Sequence, residues 1–203
     1  MMSTPALGRL VVASVLYQIL VLSAMHFLEP EFSPIRVPMS AYVGGAYGSL
    51  MTTTYFVLSA GVLAVAYGLV TTLRRTRRTK IAFAVLVVAA LACLLAGIFP
   101  MDFPPRLWTF SGRLHALGGV VTFLGMTVGV SVFSLNLRHD GYWRGVSAGL
   151  SKLSAVMIAA VLLMQSSILL LGYGGYAQRL FMIALFCWMA VAGLHLIRTA
   201  PAT

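Results

Sequence analysis

Charge is what this 203-residue sequence has least of: 9% of its residues are Asp, Glu, Lys or Arg, and only four of them are acidic. An ordinary soluble domain carries roughly 25% charged residues. Because 60% of the residues are hydrophobic, a soluble fold would lack the polar surface needed to cover them. The composition therefore excludes a soluble domain and indicates a protein that lies in a membrane.

Cysteine is equally scarce. Cys93 and Cys187 each fall near the middle of a hydrophobic run, where neither can close a loop disulfide. The sequence also lacks a Gly-x-Ser-x-Gly elbow, a phosphate-binding loop, a dinucleotide fingerprint and the His-Glu-x-x-His pattern of zinc enzymes. These absences leave no motif that names a reaction, and we expect neither a metal nor a cofactor.

Hydrophobic runs fill the chain instead, each close to the roughly 20 residues that cross a hydrocarbon core as a helix. We predict an all-α, polytopic membrane protein in which residues 1–203 form a single six-helix transmembrane domain. The predicted spans are Leu7–Leu28, Tyr47–Leu73, Lys80–Phe99, Gly112–Leu137, Ala148–Leu171 and Arg179–Arg198. The first run is too long and lacks the cleavage site of a signal peptide, so we interpret it as a retained helix.

The basic residues predict an orientation. Ten of the 14 Lys and Arg residues would share the side of the N-terminus: Arg9, Arg74, Arg75, Arg77, Arg78, Lys80, Arg138, Arg144, Lys152 and Arg198. The positive-inside rule then predicts that both termini are cytoplasmic. The net charge of +10 also invites a nucleic-acid interpretation, but no loop is long enough to present such an interface. We therefore expect membrane lipids as partners and no nucleic acid.

Polar residues gather at the opposite, extracytoplasmic level. Polar side chains inside a membrane are costly unless they face each other, water or a ligand, so we expect these to surround a chamber. Asp102 and His115 are the candidate catalytic residues, and Ser111 is the predicted N-cap of the fourth helix. The candidate ligand-binding residues are His26, Glu29, Thr53, Tyr55, Trp108, Arg113, Gln165, Tyr173 and Arg179.

Other interpretations of these residues stay open. Asp102 could form a plain salt bridge with Arg106 or Arg113, and the aromatic residues could be an interfacial belt. His26, Asp102 and His115 could be metal ligands. Alternatively, His26 with His115 and His139 with His195 could form an outer and an inner haem pair, although the spacings favour neither interpretation. A carboxylic acid among aromatic rings could also protonate a lipid-like substrate.

We predict that the chamber binds a small amphiphile, such as a lipid or isoprenoid-like molecule, in a binding, sensing or accessory role. The alternative is an intramembrane enzyme, either an acid–base cyclase or isomerase or a metal-dependent hydrolase, that uses Asp102 and His115. A third hypothesis is a structural subunit of a larger membrane complex, and a homo-oligomer also stays open. We expect Asp102 to be desolvated in the chamber and paired with Arg113 or His115.

Three segments carry a resemblance. The connection "PIRVPMSAYVGGAYG", the segment "GIFPMD" that closes the third span and the segment "GRLHALGG" that opens the fourth resemble the bacterial membrane family catalogued as domain of unknown function 998. The resemblance implies six helices, a location in a bacterial inner (cytoplasmic) membrane and a Phe-Pro-x-Asp…His signature, matched by Phe99, Pro100, Asp102 and His115. It implies no established activity.

Overall fold

The described part of the chain contains seven helices. The computed structural model describes residues 2–103, 107–170 and 174–198, with residues 165–170 in their backbone only. The long helices are α1 (Thr4–Leu28), α2 (Gly48–Thr72), α3 (Arg77–Ile98), α4 (Phe110–Leu137), α5 (Arg144–Leu170) and α6 (Gly174–Arg198), and a short 3-10 helix, Met39–Gly44, precedes α2. All six long helices are apolar enough to cross a membrane. The predicted all-α fold with six membrane-spanning helices is confirmed.

Threonine side chains cap the starts of α3 and α4. Thr76 and Thr79 form a reciprocal capping box at the start of α3, in which each side chain accepts from the other residue's backbone N–H, and such a box satisfies N–H groups that the first turn cannot pair internally. The predicted cap of α4 was wrong. Thr109 caps that helix by accepting from the N–H of Gly112 at 3.1 Å, while the Ser111 hydroxyl donates to the carbonyl of Pro100.

The six helices form a closed ring. Each helix packs against the next one in sequence, α6 returns to pack against α1, and α2 also touches α6 across the ring. Neighbouring helices are antiparallel. Going along α1, Ser14 donates to Val57 and Gln18 to Thr54, so the partners on α2 run backwards. The contacts of Ser59 with Ala90 and of Tyr55 with Cys93 show the same for α2 and α3. One end of the ring, which we call the cavity end, holds the last turns of α1, α3 and α5. The other, the basic end, holds their first turns.

Small residues allow the closest helix contacts. On α4, a Cβ atom added to Gly118 would lie 2.8 Å from the carbonyl oxygen of Ala92, and one added to Gly125 would lie 2.8 Å from the Cβ of Ala89. The contact of α1 with α6 relies in the same way on Gly8, which faces Gly193. Without a hydrophobic driving force between helices in lipid, such close backbone approach is a main source of association. These glycines therefore hold α3 to α4 and α1 to α6.

Candidate functional site

A cavity of about 530 Å³ occupies the centre of the ring at the cavity end. All six long helices contribute to its wall, together with the connection between α1 and α2. Most of the wall is apolar; its polar members among the described side chains are Gln18, Arg36, Ser40, Thr54, Tyr55, His115, Thr122 and Gln178. The wall thus combines a large apolar surface with a few groups that can form hydrogen bonds.

His115 is held in one orientation in this wall. Its Nδ1 lies 2.9 Å from the carbonyl oxygen of Ala96 and 3.0 Å from that of Phe99, both in the last turn and end of α3. Because carbonyl oxygens only accept, Nδ1 carries the proton, and in the neutral ring Nε2 is then an acceptor. The ring also makes an edge contact with Tyr55, at 6.1 Å between centroids. His115 can therefore accept a hydrogen bond from a group in the cavity.

Two glutamines contribute complementary amide groups to the wall. Gln18 of α1 is 1% exposed, and its Nε2 donates to the carbonyl of Thr54 at 2.7 Å. Gln178 of α6 accepts through Oε1 from the N–H of Met39 at 2.7 Å. Within the described residues, the Oε1 of Gln18 and the Nε2 of Gln178 have no protein partner. One acceptor and one donor are thus available on two neighbouring helices of the wall, α1 and α6.

Arg179 forms a network beside the cavity. Its guanidinium donates to the carbonyl of Val37 at 3.0 Å, to the hydroxyl of Tyr42 at 3.1 Å and to the Nε2 of His26 at 3.2 Å. The Nδ1 of His26 lies 2.6 Å from the carbonyl of Leu22, which fixes the neutral tautomer that accepts from Arg179. This partly buried cation therefore ties α6 to α1 and to the connection that follows α1.

Glu29 is a second enclosed charged residue at this level. It is 1% exposed, and its Oε1 accepts from the N–H of Tyr47 at 2.6 Å. Gly45 packs against the carboxylate so closely that an added Cβ would lie 2.3 Å from Oε2. The side chain thus serves the fold of the connection between α1 and α2 and is absent from the cavity wall.

Asp102 supports the start of α4. Its carboxylate accepts from the backbone N–H of Thr109 at 2.9 Å and from the Thr109 hydroxyl. The hydrogen bond from the Thr109 side chain, with a smaller contribution from the positive charge of Arg113, lowers the pKa of Asp102 below its ordinary value. Asp102 is partly exposed and is bonded to Thr109, in contrast to the expected pairing with Arg113 or His115.

The predicted site residues therefore separate into groups. Tyr55 and His115 line the cavity, and His26 and Arg179 lie together in the network beside it. Thr53, Trp108 and Arg113 are exposed, Trp108 by 81%, and none of them lines the cavity. Tyr173 and the side chain of Gln165 lie outside the described residues.

Sequence reasoning did not include six of the eight polar wall residues among its candidates. Gln18 and Gln178 are the polar members of α1 and α6 that face the cavity, and Arg36, which is exposed, lines it from the connection between α1 and α2. A signal for Gln18 was present, because an uncharged amide in the middle of a membrane span needs a partner. In the part of the chain that the structure describes, no group of three or more His, Cys, Asp or Glu residues is placed to hold a metal ion.

The ring of six apolar helices defines a multi-pass membrane protein. The family model described as "Protein of unknown function (DUF998)" matches residues 11–195, so the chain belongs to this family, as the resemblance in its loops suggested. No curated protein matches the chain. No solved structure matches it either.

Proposed function

We propose that this protein binds a small amphiphile, such as a lipid or isoprenoid-like molecule, in the cavity between its six helices, in a binding, sensing or accessory role. The observation that carries the proposal is the cavity itself: its volume of about 530 Å³ falls in the range of roughly 300–1,000 Å³ that small-molecule sites occupy. Its apolar wall with a few hydrogen-bonding groups fits a molecule that has an apolar body and one polar end.

The wall supports a defined placement of such a molecule. Leu22, Met51 and Phe181 offer apolar contact for its body, while the Nε2 of His115 can accept a hydrogen bond from its polar end. Val120 and Leu124 of α4 line the cavity and are also 49% and 47% exposed. An apolar ligand could therefore enter from the lipid along α4 without crossing water.

The basic residues support a membrane orientation for the cavity. Arg9, Lys80 and Arg144 are among the ten Lys and Arg residues that the fold collects at the basic end or just beyond it. By the positive-inside rule, that end and both termini lie in the cytoplasm, and the cavity end faces the other side of a bacterial inner membrane.

An intramembrane enzyme is the weaker proposal. His115 offers a basic nitrogen on the cavity wall, as acid–base chemistry needs. However, the carboxylate of Asp102 is bonded to Thr109 at the start of α4 and does not line the cavity. In the described residues the two predicted catalytic groups share no hydrogen bond, so the arrangement favours binding over catalysis.

A cavity-filling variant tests the proposal. Gly119 lines the cavity, and a Cβ atom added to it meets no other atom within 4 Å, so Gly119→Leu should occupy the cavity without disturbing the helices. Gly149→Leu is the matched control, because Gly149 has equally open surroundings but lies on α5 outside the cavity wall. The measurement is native mass spectrometry of the full chain, followed by identification of the molecules that organic solvent releases.

We expect one small amphiphile per chain in the wild type and in Gly149→Leu, and its loss in Gly119→Leu. The variant His115→Ala should lower its occupancy without emptying the cavity. Equal occupancy in Gly119→Leu and Gly149→Leu would overturn the proposal, since the bound molecules would then be ordinary lipids on the outside of the bundle. Release of a chemically altered molecule by the wild type alone would instead support the enzyme.

A further inference from the structure

A second concave region lies at the basic end, away from the cavity. This region, the basic cleft, has a volume of about 470 Å³ and lies where the connection between α2 and α3 meets the end of α4. Its lining residues are Leu73, Arg74, Thr76, Arg77, Arg78, Thr79, Asn136, His139 and Asp140. Three exposed arginines, Arg74, Arg77 and Arg78, thus line one concave region.

The guanidinium groups of these arginines are not used by the fold. Among the residues that the structure describes, Arg74, Arg77 and Arg78 form no ion pair and donate no side-chain hydrogen bond to the protein. The single carboxylate of the cleft is engaged elsewhere, since Asp140 accepts from the N–H groups of Tyr142 at 3.0 Å and Trp143 at 3.3 Å. The cleft therefore keeps a net positive charge, with three guanidinium groups against one carboxylate.

A buried amide gives an independent sign of a ligand. The Nδ2 atom of Asn136 is shielded from solvent and has no hydrogen-bond partner within the described residues, although Asn136 lines the cleft. A buried donor without a partner is costly, and few occur in native structures. The hydroxyls of Thr76 and Thr79, in contrast, are occupied by the capping box of α3. Because Nδ2 is shielded, an acceptor that enters the cleft would pair with it once the Asn136 amide rotates toward the cleft.

Membrane topology alone explains the charge but not this geometry. The positive-inside rule requires only that basic residues lie on the cytoplasmic side; it requires neither a concave arrangement nor an unpaired amide beside it. Guanidinium groups match the oxygen atoms of phosphate in charge and geometry. His139 adds a further donor, because its Nε2 accepts from Arg138 and its neutral ring then carries the proton on Nδ1.

We propose that the basic cleft is a binding site for a phosphate group, held by Arg74, Arg77 and Arg78, with the amide of Asn136 as a neutral donor. The phosphate can belong to the headgroup of an anionic lipid in the adjacent leaflet or to a free, soluble phosphate. Both present the same oxygen acceptors to the cleft. The site is separate from the cavity and does not depend on the function proposed for it.

The test uses the full chain, delipidated in detergent, with three probes. Phosphatidylglycerol carries an anionic phosphate headgroup, phosphatidylcholine carries the same phosphate with a compensating cation, and inorganic phosphate is the free form. Affinity is measured by native mass spectrometry for the lipids and by the shift in thermal unfolding temperature for all three probes. Arg77→Gln combined with Arg78→Gln removes two cleft charges. Arg9→Gln combined with Arg144→Gln removes the same charge from exposed positions outside the cleft.

We expect the cleft variant to bind phosphatidylglycerol at least about tenfold more weakly than the wild type, as the loss of charge-assisted hydrogen bonds predicts. The control variant should stay within about threefold, because it loses only screened, long-range attraction. Phosphatidylcholine should bind weakly to every form. Competition by inorganic phosphate would assign the site to free phosphate, and its failure to compete would assign the site to the lipid headgroup. Equal losses in the two variants, or equal binding of both lipids, would overturn the site.

A variant without a charge change completes the test. Asn136→Leu removes the unpaired donor, so the ligand-free protein should unfold at the same temperature or a higher one than the wild type. The stabilisation that phosphatidylglycerol or phosphate adds should shrink. If Asn136→Leu leaves the ligand-induced shift intact, the amide takes no part and the proposal is wrong about it.

Discussion

The cavity end and the basic end treat charge in opposite ways. At the cavity end, the partly buried Arg179 and the buried Glu29 use groups of the protein as hydrogen-bond partners. At the basic end, Arg77 and Arg78 face a cleft in which no described residue pairs with them. Because removing a charge from water costs several kcal/mol unless the protein supplies partners for it, Arg179 and Glu29 are residues that stabilise the fold. Arg77 and Arg78 are instead available to bind a group from outside the chain.

The contrast separates stability from recognition. Substitutions of Arg179 or Glu29 should mainly lower the free energy of unfolding. Substitutions of the cleft arginines should mainly lower the affinity for a ligand and should change the free energy of unfolding little. The cavity wall combines both roles. His115 and Gln178 each use one polar side-chain atom in a hydrogen bond within the protein, and the other polar atom is available to a ligand.

The largest expected effect is that of Arg179→Met. This change leaves the hydroxyl of Tyr42, the carbonyl of Val37 and the Nε2 of His26 without their donor, so we expect the free energy of unfolding to fall by about 3 kcal/mol. Arg179→Lys should recover only part of this, since an ammonium cannot span three acceptors. Arg77→Met, the counterpart at the basic end, should change it by less than about 0.5 kcal/mol. Denaturant unfolding in detergent measures all three, and similar effects of Arg179→Met and Arg77→Met would remove the contrast.

A smaller effect distinguishes two adjacent glycines of α4. Gly118→Ala places a Cβ 2.8 Å from the backbone of α3, and overpacking of this kind costs about 1–3 kcal/mol. Gly119→Ala faces open space in the cavity wall and should stabilise the helix by about 0.5–1 kcal/mol, because alanine is the better helix former. Thermal unfolding of the two variants should therefore move in opposite directions. Parallel shifts would mean that Gly119 does not face a cavity.

The smallest effect concerns the two aspartates that support helix starts, Asp102 at α4 and Asp140 at α5. The pKa of Asp102 is lower in the folded protein than in an unfolded chain. Its ionised form therefore stabilises the fold above the ordinary aspartate pKa, and this contribution is lost as the pH falls through the lowered folded pKa. Asp102→Asn should lower the unfolding temperature slightly at pH 7, and the difference from the wild type should vanish at strongly acidic pH.

Asp140→Asn is the control at the basic end, since asparagine also caps helices well. It should leave the unfolding temperature close to that of the wild type at neutral pH. A large loss for Asp102→Asn at pH 7 that persists in acid would point to a desolvated carboxylate, as the sequence led us to expect, and would contradict the partly exposed, Thr109-bonded arrangement.

The number of helices and their approximate limits follow from the sequence alone, because crossing lipid requires long apolar runs whatever the neighbours are. The predicted ends agree closely for the first four helices. The fifth and sixth begin earlier than predicted, at Arg144 instead of Ala148 and at Gly174 instead of Arg179. Hydropathy detects the apolar part of a helix, whereas its first turn needs only caps and backbone hydrogen bonds and can be polar.

The sequence also determined the depth of the polar residues, since position along a span fixes height in the ring. It could not determine rotation about the helix axis, which depends on how neighbouring helices pack. Tyr55 faces the cavity while Thr53, two positions earlier, is exposed, because residues two apart lie on different faces of a helix. Only the tertiary structure brings Gln18, Gln178 and His115 to the wall of one cavity. It also decides that Asp102 accepts hydrogen bonds from Thr109. The packing of α3 against α4 places Arg74, Arg77 and Arg78 around one cleft with Asn136.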